Sequence, residues 1–153
     1  MFGPQVATIS ADERTAKLQA KRIQIRERLE ELGHDVKYAE DIVDPNIDGP
    51  AGNPFFQEMF IMQEYDMIVT LVESAGSITE ATLIAREPLL ARKASLFMDQ
   101  EFQDGLVGKA CETAAEFGAH YRLFQYPADL DDCHLLGFVK NRAESFQMMK
   151  YLL

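Results

Sequence analysis

Tryptophan is absent, cysteine occurs twice, and the 15 Lys and Arg side chains are outnumbered by 25 Asp and Glu. Each scarcity excludes something. Cys111 and Cys133 show no paired spacing, so the sequence offers no disulfide framework and suits a reducing compartment. A formal net charge of −10 provides no basic face for the phosphates of a nucleic acid polymer or for an anionic membrane surface. A free nucleotide stays admissible, because one pocket can be locally positive inside an acidic protein. No apolar run approaches the roughly 20 residues of a membrane span. Met1-Phe2-Gly3-Pro4 lacks the basic start and apolar core of a signal peptide, so the expected location is the cytoplasm. His34, His120 and His134 are scattered without ligand spacing, and no structural metal is expected. A G-x-G-x-x-G fingerprint is missing. Neither cysteine begins a C-x5-R phosphatase loop, since Phe117 and Val139 stand where the arginine belongs.

The sequence does contain a regular alternation of apolar patterns. Its 153 residues, 47% of them hydrophobic, suit one domain over 1–153 that buries roughly 70% of its unfolded surface. The opening is ambiguous: either residues 5–9 form a first strand, or that strand is very short and Phe2-Gly3-Pro4 is already its exit loop. Residues 11–32 read as a helix, with Leu18, Ile25, Leu29 and Leu32 at helical steps. Ser10 or Asp12 can cap its start and Gly33 its end. Its basic run, Lys17, Lys21, Arg22, Arg26 and Arg28, reads as a solvated face, and Arg14 near the start either shares that character or meets a phosphate. Residues 35–39 suggest a short strand, and Glu40-Asp41 follow it. Three prolines and two glycines make 44–54 a loop, of a length that suits a flap or equally a linker within the domain.

Residues 55–65 form a helix that is apolar on nearly every side, which implies burial on two sides and a second subunit as cover. The unbroken apolar run 67–72 has the character of a central parallel strand. A helix over 77–93 kinked near Pro88, a strand over 94–98 ending at Asp99, a helix over 103–118, a strand over 121–126 and a terminal helical segment over 129–153 complete the chain. Phe146, Met148, Met149, Tyr151 and Leu152 at its end are read as core or subunit contact. Strands alternating with helices imply an α/β fold: a three-layer, flavodoxin-like (Rossmann-like) parallel sheet of five strands in the order 2-1-3-4-5.

Ligands in such sheets bind beyond the carboxyl ends of the strands. That edge gathers Gly3-Pro4, Glu40-Asp41, Glu73 to Glu80, Asp99 and Pro127. Ser74-Ala75-Gly76-Ser77 is a small-residue turn through which backbone N–H groups can approach a ligand. Glu80 is expected in the first helical turn, where the helix dipole favours its ionised form. The competing structural account is an S-x-x-E capping box, in which Ser77 and Glu80 satisfy each other's backbone donors.

The stretch from Tyr65-Asp66 through the strand to Glu73-Ser74-Ala75-Gly76-Ser77-Ile78-Thr79-Glu80 resembles the core motif of the nucleoside 2-deoxyribosyltransferase-like proteins, and also that of related nucleotide-processing Rossmann-like families, including TIR-like domains. Phe2-Gly3-Pro4 and the Arg-rich helix ending in Leu32-Gly33-His34-Asp35-Val36 are similar to the opening of the same group. The resemblance covers roughly the first 100 residues. It implies that Glu80 attacks C1′ of a nucleoside, nucleotide or NAD-like compound, or stabilises the cationic sugar, without a cofactor. A carboxylate suits that chemistry because breaking an N-glycosidic bond develops oxocarbenium character. The resemblance also implies that Gly3, Pro4, Gly76 and Ser77, with Glu73 and Ser74, line the sugar or phosphate, and that Asp41 or Asp99 holds sugar hydroxyls or the base. Two other functions fit the same sequence: a nucleotide-binding sensor that never releases base, and an interaction protein assembled as a homo-oligomer through the 55–65 helix.

Overall fold

The structure, a computed structural model, describes residues 1–2, 12–131 and 134–152. Among them the sheet has three parallel strands in sequential order: β1 (Ile68–Leu71), β2 (Ala94–Asp99) and β3 (His120–Phe124). Ile68 stands opposite Ala94, and Ser95 opposite His120. This corrects the expected five-stranded sheet of order 2-1-3-4-5. The proposed strand at 5–9 lies outside the described residues, as do Gly3, Pro4, Ser10 and Cys133. The proposed strand at 35–39 forms no ladder with any described residue.

Among the described residues few pairing partners reach the segment 35–39. Only Met1 and Phe2 are described between that segment and β1. The Met1 amine donates to the Lys37 carbonyl at 2.7 Å, and Ala39 N–H donates to Met1 O at 3.2 Å. On the other side Phe2 donates to Val69 O and accepts from Leu71 N–H, a single parallel bridge. One residue pair on each side is too little for a strand, and the chain turns at once into a short helix, α2 (Ala39–Ile42).

Helices pack on both faces. Inward residues of β1 and β2 alternate, as pleating requires. Ile68, Ala94, Leu96 and Met98 join the core under α4 (Ala75–Arg86), α5 (Pro88–Ala91) and α6 (Leu106–Glu116). Val69, Leu71 and Phe97 join the core under α1 (Glu13–Glu31), α7 (Ala128–Asp131) and α8 (His134–Leu152). The continuous burial of β1 and β2 follows from that double cover. Pro88 divides the expected 77–93 helix into α4 and α5, having no N–H to continue the first.

The α3 helix (Pro54–Glu64) differs from expectation. Only Met62 is buried in it, while Phe55, Phe56 and Phe60 stand exposed, Phe60 at 66%. The apolar residues at the end of α8 are exposed as well, including Met148, Tyr151 and Leu152. No described helix is long and apolar enough to cross a membrane.

Candidate functional site

The site is built around the start of α4. Ser74, in extended backbone, is its N-cap, and its Oγ accepts from Ser77 N–H at 3.2 Å. Ser77 Oγ accepts from the Glu73 and Ser74 N–H groups, both at 2.9 Å, and donates to the Ser74 carbonyl. The capping box is therefore Ser74 with Ser77, one turn earlier than the Ser77–Glu80 box expected from sequence. Two consequences follow. The hydroxyls of Ser74 and Ser77 and the N–H groups of Glu73 and Ser74 are engaged with one another, which is a structural use of residues expected to meet a ligand. Glu80 falls in the second helical turn, released from any capping duty.

Glu80 is nonetheless buried, with 7% of its surface exposed, and its Oε2 has no hydrogen-bond partner among the described residues. The side chain leans back toward the helix start, as long side chains on helices do, so that a Cβ added at Gly76 would stand 3.9 Å from Oε1. Gly76 itself is exposed. Burial, and then the neighbouring carboxylate of Glu58 on α3, push the Glu80 carboxyl up to about 8; Glu40 adds to this, while the Met1 amine and Arg22 oppose it. Burial thus opposes the ionised form that the helix dipole was expected to favour. Glu58 is raised too, by its own burial and then by Glu40.

Arg22 crosses beneath this cluster with no exposed surface. Its guanidinium donates to both Glu40 oxygens at 3.0 Å and to Met1 O at 2.8 Å, and lies 4.8 Å from the centre of the Tyr38 ring. Of the adjacent acids, Asp41 is exposed, and it is Glu40 that is engaged.

A second charged centre lies at the carboxyl ends of β1 and β2. Arg14 on α1 donates to both oxygens of Glu73 and to Asp99 Oδ2. It is flanked by the rings of Tyr126 at 4.6 Å and Phe102 at 5.3 Å. Hydrogen bonding to Glu73, then to Asp99, holds the guanidinium firmly protonated. Asp99 also accepts from Glu101 N–H at 3.0 Å as the cap of the short turn after β2. The structure therefore unites Glu73 and Asp99, and does so through Arg14. A small polar cleft of about 440 Å³ opens beside them, lined by Asp99, Gln100, Gln125 and Tyr126.

A larger cavity, about 740 Å³, lies elsewhere, at the amino end of β1. Phe2, Val36, Met62, Met67 and Val69 give it an apolar lining, and two of its charged residues, Lys150 and Asp66, are exposed and paired with each other. Size alone favours this cavity, but the unpartnered buried carboxylate beside the exposed Gly76 favours the carboxyl edge. Among the described residues no three His, Cys, Asp or Glu side chains converge as a metal site. Cys111 is a buried free thiol pushed up to about 11 by burial, then by Glu112, and is a poor nucleophile.

Sequence reasoning missed Arg22, Glu40 and Glu58 as members of one cluster, though spacing carried a signal for two of them. Arg22 continues the stripe Leu18, Ile25, Leu29, and Glu58 precedes the buried Met62 by one turn. No protein-family model, curated protein or solved structure matches the chain.

Proposed function

We propose that the chain cleaves or transfers the N-glycosidic bond of a nucleoside, nucleotide or NAD-like compound in the cytoplasm, with Glu80 as nucleophile or oxocarbenium stabiliser and without a cofactor. The observation that carries this reading is the buried Glu80 Oε2, unpartnered among the described residues, beside an exposed glycine turn. A buried carboxyl that caps nothing and accepts no hydrogen bond at that oxygen costs the fold stability, and such groups cluster at functional sites. Burial disfavours its anion, and the positive charge that develops on the sugar favours it.

The test is base release from a panel of nucleosides, nucleoside monophosphates and NAD, followed by chromatography. Release by the native protein and its loss in a folded Glu80→Gln variant are the expected results. A second reading, a binding module without turnover, draws on one observation: the polar atoms of Ser74, Ser77, Glu73 and Asp99 are already engaged within the protein. That reading expects one panel member to raise the melting temperature while no base appears.

A further inference from the structure

We propose that the outer edge of β3 is a docking site for a partner strand in which acidic and apolar residues alternate. The sheet ends at β3. Its residues pair with β2 on one side, and among the described residues no strand pairs with it on the other. The opposite edge of the sheet, at β1, is met by the Phe2 bridge. An unpaired edge presents N–H and C=O groups that an extended chain can bond, as in strand addition. His120, Arg122 and Leu123 are all exposed along β3, Leu123 at 40%, so the helix layers leave much of this strand uncovered. The surface is separate from Glu80 and does not depend on the role of that residue.

Charge decides which strand fits. The protein carries 25 acidic against 15 basic side chains, and Arg14, Arg22, Arg26 and Arg28 each sit in an ion pair. Among the described residues Arg92, Arg122 and Arg142 sit in none. The fold gathers them at this edge. Ser95 on β2 stands opposite His120, and Arg142 donates to the Arg92 carbonyl at 2.8 Å. Arg122, on the same face of β3 as His120, lies over the Phe138 ring at 4.7 Å. On α8 the Glu144 carboxylate is taken by Lys140 at 3.6 Å. The other face of the strand carries the exposed Leu123, and Phe117 at the end of α6 is exposed too. A partner strand would therefore set acidic side chains toward His120 and Arg122 and apolar ones toward Leu123, in the two-residue alternation of a strand. A second copy of β3 fits poorly. The fully overlapping antiparallel pair, 120 with 124 across a two-fold axis, sets Arg122 directly against Arg122, and like charges so placed destabilise a pair.

Three probes test this on the full chain by fluorescence anisotropy: a capped, labelled heptapeptide alternating glutamate and valine, its lysine–valine counterpart, and the glutamate–valine peptide with its backbone amides N-methylated. The first is expected to bind at least about tenfold more tightly than either of the others, because the second reverses the charge and the third cannot donate to the edge. Its binding should also slow amide hydrogen exchange within 120–124. Arg122→Glu is expected to abolish the preference for glutamate over lysine, and Arg122→Gln to narrow it severalfold. Arg122 is exposed, so both variants should fold, and Arg122→Gln alone carries the test if the charge reversal does not. Equal binding of the lysine peptide, or a preference that neither variant changes, overturns the charge argument and with it the proposal. Full binding of the N-methylated peptide, or binding without protection in 120–124, shows attraction of an anion to the surface rather than strand addition and overturns it too. So does absence of binding by the glutamate peptide. A dimer in sedimentation whose protection at 120–124 is lost on dilution makes a second copy the occupant and equally overturns it.

Discussion

Replacing Glu80 by Gln isolates what the buried carboxyl costs the fold. The folded protein holds this group at about 8 against an ordinary 4.5, chiefly because burial disfavours the anion and secondly because Glu58 faces it. A carboxyl whose proton affinity rises on folding contributes stability that is fully present below pH 4.5 and is lost as pH climbs through 8. At about 1.4 kcal/mol per pH unit the gap has an upper bound of roughly 5 kcal/mol. Relaxation and water penetration reduce that, so the expected difference is about 2–3 kcal/mol, or roughly 5–10 °C in a domain of this size. Gln has the same shape and cannot ionise. The two proteins should therefore melt together below about pH 4 and diverge by about pH 9, with Glu80→Gln the more stable. Urea or thermal unfolding of both across that range provides the measurement, and the difference profile cancels groups common to the pair. Parallel profiles, within about 0.5 kcal/mol throughout, would refute the assignment of a buried, unpartnered acid.

Arg14→Ala should lower stability by roughly 3 kcal/mol, because it strands the buried Asp99 carboxylate, whereas Arg14→Lys, which keeps the charge and loses the fork, should recover part of it; urea midpoints decide. Gly76→Ala should be neutral or stabilising by up to about 1 kcal/mol, since an added Cβ meets only Glu80 Oε1 and Ser74 Oγ at 3.9 Å. The same change should slow base release by narrowing the approach to Glu80, and an unaltered rate would place the reacting sugar elsewhere. Phe60→Ser should leave stability within about 1 kcal/mol of native, given its exposure, while lowering the mass found by sedimentation if α3 joins two copies; an unchanged assembly removes α3 from that role. In the folded protein Cys111 should react with a thiol reagent only as fast as the chain opens, measured against an unfolded control.

Elements whose period was unmixed were legible in the sequence. The unbroken run at 67–72 became β1, the stripe at Leu18, Ile25 and Leu29 became the buried face of α1, and Pro88 divided a helix. The failures share one cause, which is that local pattern does not state what lies opposite. Asp35 to Tyr38 alternates as a strand does, but its described neighbours are Met1 and Phe2, and no ladder forms there. The α3 helix looks buried all round because Phe55, Phe56 and Phe60 are apolar, yet those rings face outward. At the candidate site, Glu73, Gly76, Glu80 and Asp99 stand out in the sequence from the motif and from the ends of the apolar runs. Their relations do not: nothing in S-x-x-E spacing discloses that Ser74 reaches the cap first.

That displacement of the cap bears most directly on function. Had Ser77 and Glu80 formed the box, the carboxylate would have been a structural acceptor with a reason to be ionised and no freedom to react. With Ser74 and Ser77 closing the helix start, the fold asks nothing of position 80 that Gln or Leu would not supply at lower cost. The neighbouring carboxylates add to that cost, while the Met1 amine and Arg22 offset part of it. Glu58 and Glu40 lean on the same carboxyl, while Arg22, the buried guanidinium nearby, is engaged by Glu40 and a backbone carbonyl. A charge arrangement that destabilises the protein alone and would be relieved by an incoming cation is what a binding site for developing positive charge requires, because the relief is then available to the bound state alone. The stability deficit at Glu80 and the proposed stabilisation of an oxocarbenium-like sugar are two sides of one electrostatic arrangement, and the Glu80→Gln variant reads both: it should stabilise the fold and abolish the chemistry together.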